Sequence, residues 1–533
     1  MDAKVLADAR AAFPAGGSAI TLGAVVHGGE CAPEPLVRLP LAMANRHGLI
    51  AGATGTGKTK SLQLMAEQFS AAGVPVFLAD LKGDLSGMGT AGQANDRITQ
   101  RATETGWAWQ GAARPVEYLS LTGSRGAQLR ATISSFGPLL LARVLGLNET
   151  QASVLALVFK FSDDQKLPLI DFADLRAVLQ YLTSDAGASS LAQYGAMSKA
   201  TVGVLLRDMV ELEQMGAGAF LGEPEFELED LFHVERAPAE GGSGSGLISV
   251  LELQDVQDKP ALFSTFMMWM LARLYHDLPE VGDVDKPKLV FFFDEAHLLF
   301  DGASKAFLDQ VQQVVRLVRS KGVGVYFVTQ SPKDIPADVL GQLGHRVQHA
   351  LRAFTPDDEQ ALRAAARTFP NTPHYNVEKT LTSLGIGEAF VTVLTPAGTP
   401  TMPFATRMIP PATRMGPLTD AELNERLARS EQVKHYATAI DPDSARERLL
   451  ARMAPAQPVP QPVPQPGAPA WSEGPGMSST PSPEVVVGGA LAAIGAAINS
   501  PLGRMIAGRV TTQVARGIMG ALLGAPSRRR RYY

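Results

Sequence analysis

The sequence predicts an α/β fold with a mainly parallel sheet, and three observations lead to this prediction. Short apolar runs rich in β-branched and aromatic residues alternate with amphipathic helical stretches from residue 1 to about residue 454. Several of these runs lack the polar alternation of a half-exposed strand, which is typical of strands buried on both faces. Polar residues directly follow four of the runs, at the carboxyl ends where open parallel sheets bind ligands.

Six runs are predicted as strands of this sheet, because each is short, apolar and bounded by glycine, proline or polar residues. They are Gly48–Ala51, Val74–Ala79, Leu247–Leu253, Leu289–Phe293, Val323–Thr329 and Gln348–Phe354. Met1–Phe13 is predicted to form a short amphipathic helix before them.

Length and composition indicate a folded core with additional segments. The chain has 533 residues, 45% of them apolar and 19% charged, which exceeds one ordinary domain and allows a sizeable core. The formal net charge of -5 does not exclude a nucleic-acid partner, because such binding needs only a local basic surface. Cys31, the single cysteine, excludes an intrachain disulfide, and with no apparent signal peptide we expect a cytoplasmic protein.

Composition divides the chain into six predicted segments. They are a short N-terminal segment (1–40), the first part of the α/β core (41–137), a largely helical insertion (138–240), the second part of the core (241–454), a disordered Pro/Gln/Ser-rich linker (455–482) and a Gly/Ala-rich, apolar helical tail with a basic end (483–533). We expect the tail to pack on another subunit, and contact with an anionic membrane is the weaker alternative.

Residues 52–59 match the phosphate-loop pattern G-x-x-x-x-G-K-[ST] without departure. The match comprises Gly52, Ala53, Thr54, Gly55, Thr56, Gly57, Lys58 and Thr59. An apolar strand is predicted before the loop and a helix after it, so that backbone N–H groups can surround phosphate oxygens. Lys58 is expected to contact the β- and γ-phosphates of ATP, and the Thr59 hydroxyl is expected to bind Mg²⁺.

Asp294 and Glu295 follow the apolar run Leu289–Phe293 directly. An isolated acidic pair after a strand would more often be the start of a helix, where acids favour the helix dipole. Beside a phosphate loop, however, the pair suits catalysis. Asp294 is expected to hold Mg²⁺ through water, and Glu295 is expected to polarise the attacking water as general base.

Residues 294–297 spell DEAH, the tetrapeptide of one class of RNA helicases. Those enzymes carry a second RecA-like domain with a motif of the form Q-x-x-G-R-x-G-R, and no such segment occurs in this sequence. The nearest fragment, residues 342–346, does not fit this pattern. We therefore interpret His297 as an ordinary residue of the first helical turn.

Gln330 follows the next predicted strand, Val323–Thr329, and could sense the γ-phosphate or position water. ATPases that act as rings also receive an arginine from a neighbouring subunit. Arg346 and Arg352 flank the following predicted strand and are the first candidates, with Arg316 and Arg319 behind them. Together these residues predict a RecA-like P-loop NTPase core.

These residues, taken in order, resemble the HerA/FtsK branch of P-loop ATPases, and most closely the HerA-like proteins of the YjgR type. The resemblance spans roughly Leu41–Pro411. It is carried by the segments GLIAGATGTGKTKSLQLMAEQF, VFLADLKGDLSG, LLARVLGLNETQ, FFFDEAHLLFDGA, VRSKGVGVYFVTQSPKDIPADVLGQLGHRVQHALRAFTPDDEQA and IGEAFVTVL.

Known members of the HerA branch are hexameric rings that translocate double-stranded DNA or act in DNA-end processing, so the resemblance implies a homo-hexameric DNA motor. Position by position it implies that Lys58 and Thr59 bind the nucleotide and that Asp294 and Glu295 are the Mg²⁺-coordinating and the catalytic acid. It also implies that Gln330 is the sensor glutamine. Asp80 stands where relatives carry an acid after the second strand. HerA itself has an N-terminal β-barrel that contacts a nuclease, but only about 45 residues precede the first strand predicted here, so a nuclease partner is doubtful.

Three other functions are compatible with a phosphate loop. An ATP-gated assembly or membrane-associated ATPase would hydrolyse ATP without stimulation by DNA, and the apolar tail is its main support. A P-loop kinase would transfer phosphate to a small molecule, but the acidic pair followed by a polar strand end favours water as the acceptor. A GTPase would need a guanine-binding N-K-x-D motif, which the sequence lacks.

Overall fold

A computed structural model describes residues 1–235, 244–300 and 305–453. The described residues belong to one compact unit, Met1–Ala456. The linker predicted at 455–482 and the tail predicted at 483–533 lie outside the described residues. In the described ranges, no helix is both long and apolar enough to cross a bilayer.

Fourteen strands are described. They are β1 (Ala19–His27), β2 (Glu30–Pro40), β3 (Gly48–Ala51), β4 (Val76–Asp80), β5 (Val116–Ser120), β6 (Ala127–Gln128), β7 (Val234–Glu235), β8 (Ser245–Gly246), β9 (Ile248–Glu252), β10 (Leu289–Phe293), β11 (Val323–Thr329), β12 (His345–His349), β13 (Glu388–Thr392) and β14 (Phe404–Met408).

Seventeen α-helices are described. They are α1 (Ala3–Ala12), α2 (Lys58–Ala71), α3 (Asp96–Thr105), α4 (Ile133–Val144), α5 (Glu149–Asp164), α6 (Phe172–Thr183), α7 (Ala188–Leu191), α8 (Lys199–Gln214), α9 (Pro260–Asp277), α10 (His297–Phe300), α11 (Lys305–Val318), α12 (Ala337–Leu340), α13 (Pro356–Ala366), α14 (Val377–Ser383), α15 (Asp420–Arg429), α16 (Glu431–Tyr436) and α17 (Ala445–Met453).

Twelve of the strands form one sheet in the order β2-β1-β14-β13-β12-β3-β11-β10-β4-β9-β5-β6. The pairs from β12 through β6 are parallel, whereas the pairs that join β2, β1, β14, β13 and β12 are antiparallel. The prediction of an α/β fold with a mainly parallel sheet is therefore confirmed. Helices α4 to α8 occupy the region that the sequence predicted to be helical.

Both faces of the sheet are covered, which explains why its central strands show no polar alternation. In β10, Phe291 and Phe293 pack into a cluster with the helical region and with α9 and α11. Phe292, on the opposite face, packs into a second cluster with Phe69 of α2 and Tyr326 of β11. Every residue of β10 is fully buried, as expected for a central strand of a parallel sheet.

The N-terminal segment contains two strands that the sequence analysis did not predict. β1 is nearly buried along its length, and β2 forms the edge of the sheet with prolines at positions 33, 35 and 40. Proline suits an edge strand because its missing N–H leaves no pairing partner unsatisfied. The expectation that about 45 residues precede the first strand is therefore wrong, because β1 and β2 lie within these residues.

The predicted strand Gln348–Phe354 is also wrong in its bounds, because β12 spans His345–His349. The chain leaves the sheet at Ala350, whose carbonyl accepts a hydrogen bond from the N–H of Ala53 (2.9 Å). The next N–H, that of Leu351, donates to the Leu381 carbonyl (2.9 Å). These backbone groups bond to the phosphate loop and to helix α14, so they cannot continue the ladder.

Replacing Phe292 with alanine is expected to lower the free energy of unfolding by about 3–5 kcal/mol, because it removes a fully buried ring between α2 and β11. The measurement is the midpoint of urea unfolding. The matched control is Phe354→Ala, because that ring is 84% exposed and its loss is expected to change the free energy by about 0.5 kcal/mol or less. Equal effects of the two substitutions would contradict this packing.

Candidate functional site

Four neighbouring parallel strands bring polar residues to one edge of the sheet. Ala51, the last residue of β3, pairs with Thr329 at the end of β11, so the loop 52–59 and Gln330 leave the sheet side by side. Phe293, the last residue of β10, pairs with Phe327 of β11 and with Ala79 of β4. The predicted phosphate loop, acids and polar sensor are therefore brought together.

The phosphate loop has the backbone conformation that anion binding requires. Gly52, Gly55 and Gly57 have φ angles of 154°, 76° and 118°, a region that other residues rarely adopt. None of the described hydrogen bonds uses the N–H of Gly55 or Gly57. Since α2 begins at Lys58, these N–H groups and the positive end of the helix dipole lie together, which is an arrangement that binds phosphate.

Lys58 and Thr59 lie in the first turn of α2, and both are half-buried. The Lys58 ammonium donates to the Ala53 carbonyl across the loop (Nζ–O 3.3 Å). Burial lowers the pKa of Lys58, while the carboxylates of Glu295 and Asp294 oppose this change. Lys58 is thus within electrostatic reach of both acids.

Asp294 and Glu295 are each only 5% exposed. Burial, together with the charges of Glu295 and Asp80, raises the pKa of Asp294 to about 7. Glu295 Oε1 accepts a hydrogen bond from the Lys82 ammonium, whereas Oε2 is buried without a hydrogen-bond partner and lies 3.4 Å from His297 Nδ1. The pair concentrates negative charge at the end of β10.

This donor set fits Mg²⁺. Mg²⁺ prefers oxygen ligands and is commonly held by one or two carboxylates together with substrate phosphates and water. A cation beside Asp294 would offset the burial and the carboxylate repulsion that raise its pKa. Among the residues that the structure describes, no group of three or more His, Cys, Asp or Glu side chains could hold a metal ion alone. The ion would therefore need phosphate oxygens as further ligands.

Lys82 is a site residue that the sequence analysis missed, although its segment LADLKGD was noted. It belongs to the loop after β4, which Asp80 organises by accepting hydrogen bonds from the N–H groups of Lys82 (3.2 Å), Gly83 (2.8 Å) and Leu85 (2.7 Å). Asp80 is fully buried, and burial raises its pKa. In this structure Asp80 holds the loop that carries Lys82.

His349 is the second missed residue. Its Nδ1–H donates to the Glu388 carbonyl of β13 (2.8 Å), so Nε2 is the acceptor for the Ser61 hydroxyl of α2 (2.9 Å). Burial lowers the pKa of His349 to about 4, and the imidazole is neutral at physiological pH. A Cβ on Gly52 would lie 2.5 Å from His349 Cβ, so the ring packs directly behind the phosphate loop.

Gln330 is exposed and lines a cavity of about 870 Å³ together with Ala53, Thr54 and Arg352. The loop after it is fixed by Asp334, whose Oδ2 accepts from the Thr329 hydroxyl (2.7 Å) and from the Ser331 N–H (3.0 Å). Gln330 can therefore contact a group that is bound beside Ala53 and Thr54, in the first half of the phosphate loop.

The four candidate arginines occupy different positions. Arg352 is exposed in the cavity beside Gln330. Arg346 lies within β12, opposite Leu49, and does not flank the strand as predicted. It is half-buried, and its Nη1 has no hydrogen-bond partner. Arg316 in the last turn of α11 and Arg319 just after it are exposed. Their action on a neighbouring subunit stays a prediction.

Glu252 is a buried carboxylate at the same edge of the sheet, at the end of β9. It pairs with Asp80 of β4, and it is fully buried with both carboxylate oxygens lacking hydrogen-bond partners. Arg125 Nε lies 3.6 Å from its Oε2. Burial and the charge of Asp80 raise the pKa of Glu252 to about 7. The Arg125 guanidinium opposes this rise in pKa but does not cancel it.

Comparisons with known proteins yield one family match over most of the chain. The sequence model of the family described as Helicase HerA-like C-terminal matches residues 28–530. A relative named Probable helicase MJECL08, from Methanocaldococcus jannaschii, is 27% identical over 157 residues. That match covers 28% of this chain and 28% of the relative, so it spans less than one third of either protein.

Solved structures with a similar arrangement share little sequence with this chain. One is the plasmid coupling protein TrwB in complex with the ATP analogue ADPNP, at 15% identity and a TM-score of 0.44, covering 75% of this chain and 99% of that one. Another is VirB4 of Thermoanaerobacter pseudethanolicus, at 15% identity and a TM-score of 0.42, covering 74% of this chain and 97% of that one.

Replacing Glu252 with glutamine is expected to stabilise the protein at pH 8 and to change its stability little at pH 4. The pKa of Glu252 is about 7 when folded and returns to the ordinary 4.5 in the unfolded chain, so the unfolded chain loses its proton first as the pH rises. Wild-type stability is therefore expected to fall between these two values, by up to about 3 kcal/mol, while glutamine does not titrate.

Urea unfolding of wild type and Glu252→Gln across this pH range measures the effect. Glu425→Gln is the control, because Glu425 has an exposed side chain at the surface of α15. A stability difference between wild type and Glu252→Gln that does not depend on pH would contradict the raised pKa.

Proposed function

The chain belongs to the family described as Helicase HerA-like C-terminal, and we propose that it is an ATP-hydrolysing motor that binds and moves DNA. The observation that carries the proposal is the convergence of a phosphate loop with unused N–H groups, Lys58, and the buried pair Asp294 and Glu295 at one sheet edge. A binding module without hydrolysis would not need two buried carboxylates beside a phosphate site.

Each residue of the site has a role in this proposal. The loop N–H groups and Lys58 hold the phosphates of ATP, and Thr59 and Asp294 hold Mg²⁺. Bound Mg²⁺ supplies positive charge to the phosphate oxygens. Glu295 accepts the proton of the attacking water, and Gln330 contacts that water or the γ-phosphate.

Assembly and DNA movement extend the proposal beyond a single subunit. The family resemblance implies a homo-hexameric ring around double-stranded DNA, and a relative carries the name of a probable helicase. In such a ring ATP lies between subunits, and Arg352 or Arg346 would complete the neighbouring site, with Arg316 and Arg319 as further candidates. Loss of the γ-phosphate would then shift the loop after Gln330, and this shift would move DNA through the central channel.

Steady-state ATP hydrolysis without DNA, with duplex DNA and with single-stranded DNA tests the proposal. We expect several-fold stimulation by duplex DNA. Glu295→Gln is expected to lower the turnover rate by about 10²-fold or more, because it removes the general base, while ATP still binds. Glu425→Gln is the matched control and should hydrolyse ATP like wild type.

Two results would contradict the proposal in different ways. Hydrolysis that is lost in Glu295→Gln but indifferent to either DNA would support an ATP-gated assembly or membrane-associated ATPase. Undiminished hydrolysis in Glu295→Gln would contradict the assignment of the base.

Replacing Gln330 with alanine is expected to lower the turnover rate about tenfold while the affinity for ATP changes little, because the amide is proposed to act on the water or the γ-phosphate during hydrolysis. Titration with a fluorescent ATP analogue and initial-rate kinetics separate the two quantities. Gln193→Ala, an exposed glutamine beside α7, is the control. A weaker ATP affinity with an unchanged turnover rate would contradict the sensor role.

A further inference from the structure

The ion pair between Lys82 and Glu295 joins the loop after β4 to the proposed general base. The Lys82 ammonium donates to Glu295 Oε1, and the two side chains are 51% and 6% exposed, respectively. Glu295 is therefore held by a cation that is itself in contact with solvent. The ammonium group occupies the Oε1 atom, so that this oxygen cannot at the same time take the position that accepts a hydrogen bond from an attacking water.

The backbone of Glu295 is held in an unusual conformation next to this ion pair. Its φ angle is +48°, a region that non-glycine residues rarely adopt. Two hydrogen bonds maintain it, from the Glu295 N–H to Asp294 Oδ1 (3.0 Å) and from the Ala296 N–H to the Val328 carbonyl (2.9 Å). The carboxylate therefore has a fixed starting direction, and the Lys82 ammonium lies on one of its oxygens.

The loop that carries Lys82 is connected to a partly exposed segment after β9, residues 254–257. Gln254 Nε2 donates to the Lys82 carbonyl (3.1 Å), and Gln257 Nε2 donates to the Leu81 carbonyl (2.6 Å). The contact is close, since a Cβ on Gly83 would lie 1.2 Å from Gln254 Nε2. Displacement of residues 254–257 would therefore displace the backbone of Lys82.

We propose that Lys82 is a positioning residue that restrains Glu295 in the resting site, and that Gln254 and Gln257 couple this restraint to the segment 254–257. The inference rests on the proposed function, because it assumes that Glu295 is the general base. When the ion pair opens, Glu295 Oε1 becomes free to accept a hydrogen bond from water. The restraint keeps hydrolysis slow until the loop 81–85 moves.

The test compares Lys82→Met, which keeps the length of the side chain and removes its charge, with Lys82→Arg, which keeps the charge. In the absence of DNA, Lys82→Met is expected to raise the turnover rate about fivefold. A fivefold change in rate corresponds to about 1 kcal/mol of activation free energy, which is the energy that a solvent-exposed ion pair provides. KM for ATP and the affinity for a fluorescent ADP analogue should stay within about twofold, and Lys82→Arg should behave like wild type.

Lys434→Met is the matched control, because Lys434 is 55% exposed and is paired with Glu431 on α16. It should leave hydrolysis unchanged. Gln254→Leu keeps the packing against Gly83 but removes the hydrogen bond to Lys82, and is expected to raise the turnover rate in the same direction by a smaller factor. A purely structural role of Lys82 would lower activity or stability in Lys82→Met and would not raise the turnover rate.

A turnover rate of Lys82→Met equal to or below that of wild type would overturn the inference. A fall to the rate of Glu295→Gln would show that Lys82 is needed for catalysis itself. If Glu295→Gln abolishes hydrolysis while Lys82→Met does not raise it, only the restraint fails. If Glu295→Gln hydrolyses ATP as wild type does, the proposed function fails, whatever the result for Lys82.

Discussion

Two carboxylates are buried at the end of β10, beside a loop whose shape suits a polyanion, and the surrounding structure offsets this charge. Lys58 of α2 attracts both acids electrostatically without contacting them, and Lys82, from the loop after β4, forms an ion pair with Glu295. The compensation is incomplete, because the pKa of Asp294 stays near 7. A site with this excess of negative charge is suited to a divalent cation. Mg²⁺ commonly binds together with the phosphates of a nucleoside triphosphate.

The residues around this pair fix the loops that carry it. The Asp80 carboxylate accepts hydrogen bonds from three backbone N–H groups and so anchors the Lys82 loop to the end of β4 in this structure. His349 connects α2 to β13 through two hydrogen bonds, so the helix behind the phosphate loop cannot shift independently of the sheet. Both are fully buried polar side chains with satisfied hydrogen bonds, which is how a protein gains rigidity at a binding site.

The part of the site that depends on local pattern could be predicted from the sequence. The five apolar residues of β10 without alternation indicate a strand covered on both faces, and the phosphate-loop motif fixes residues 52–59. Lys82 and His349 could not be found in this way, because their importance depends on β4 lying next to β10 and on β12 lying next to β3. Strand order depends on contacts between residues distant in the sequence, which local periodicity does not encode.

The position of β3 in the sheet has a consequence for synthesis of the protein. β3 pairs only with β11 and β12, and β11 and β10 separate it from β4, the next strand in the chain. A nascent chain that ends before Val323 therefore carries the strand of the phosphate loop with both edges unpaired. The nucleotide site is expected to form late during translation, and until then residues 48–51 present an apolar strand that other chains or chaperones can bind.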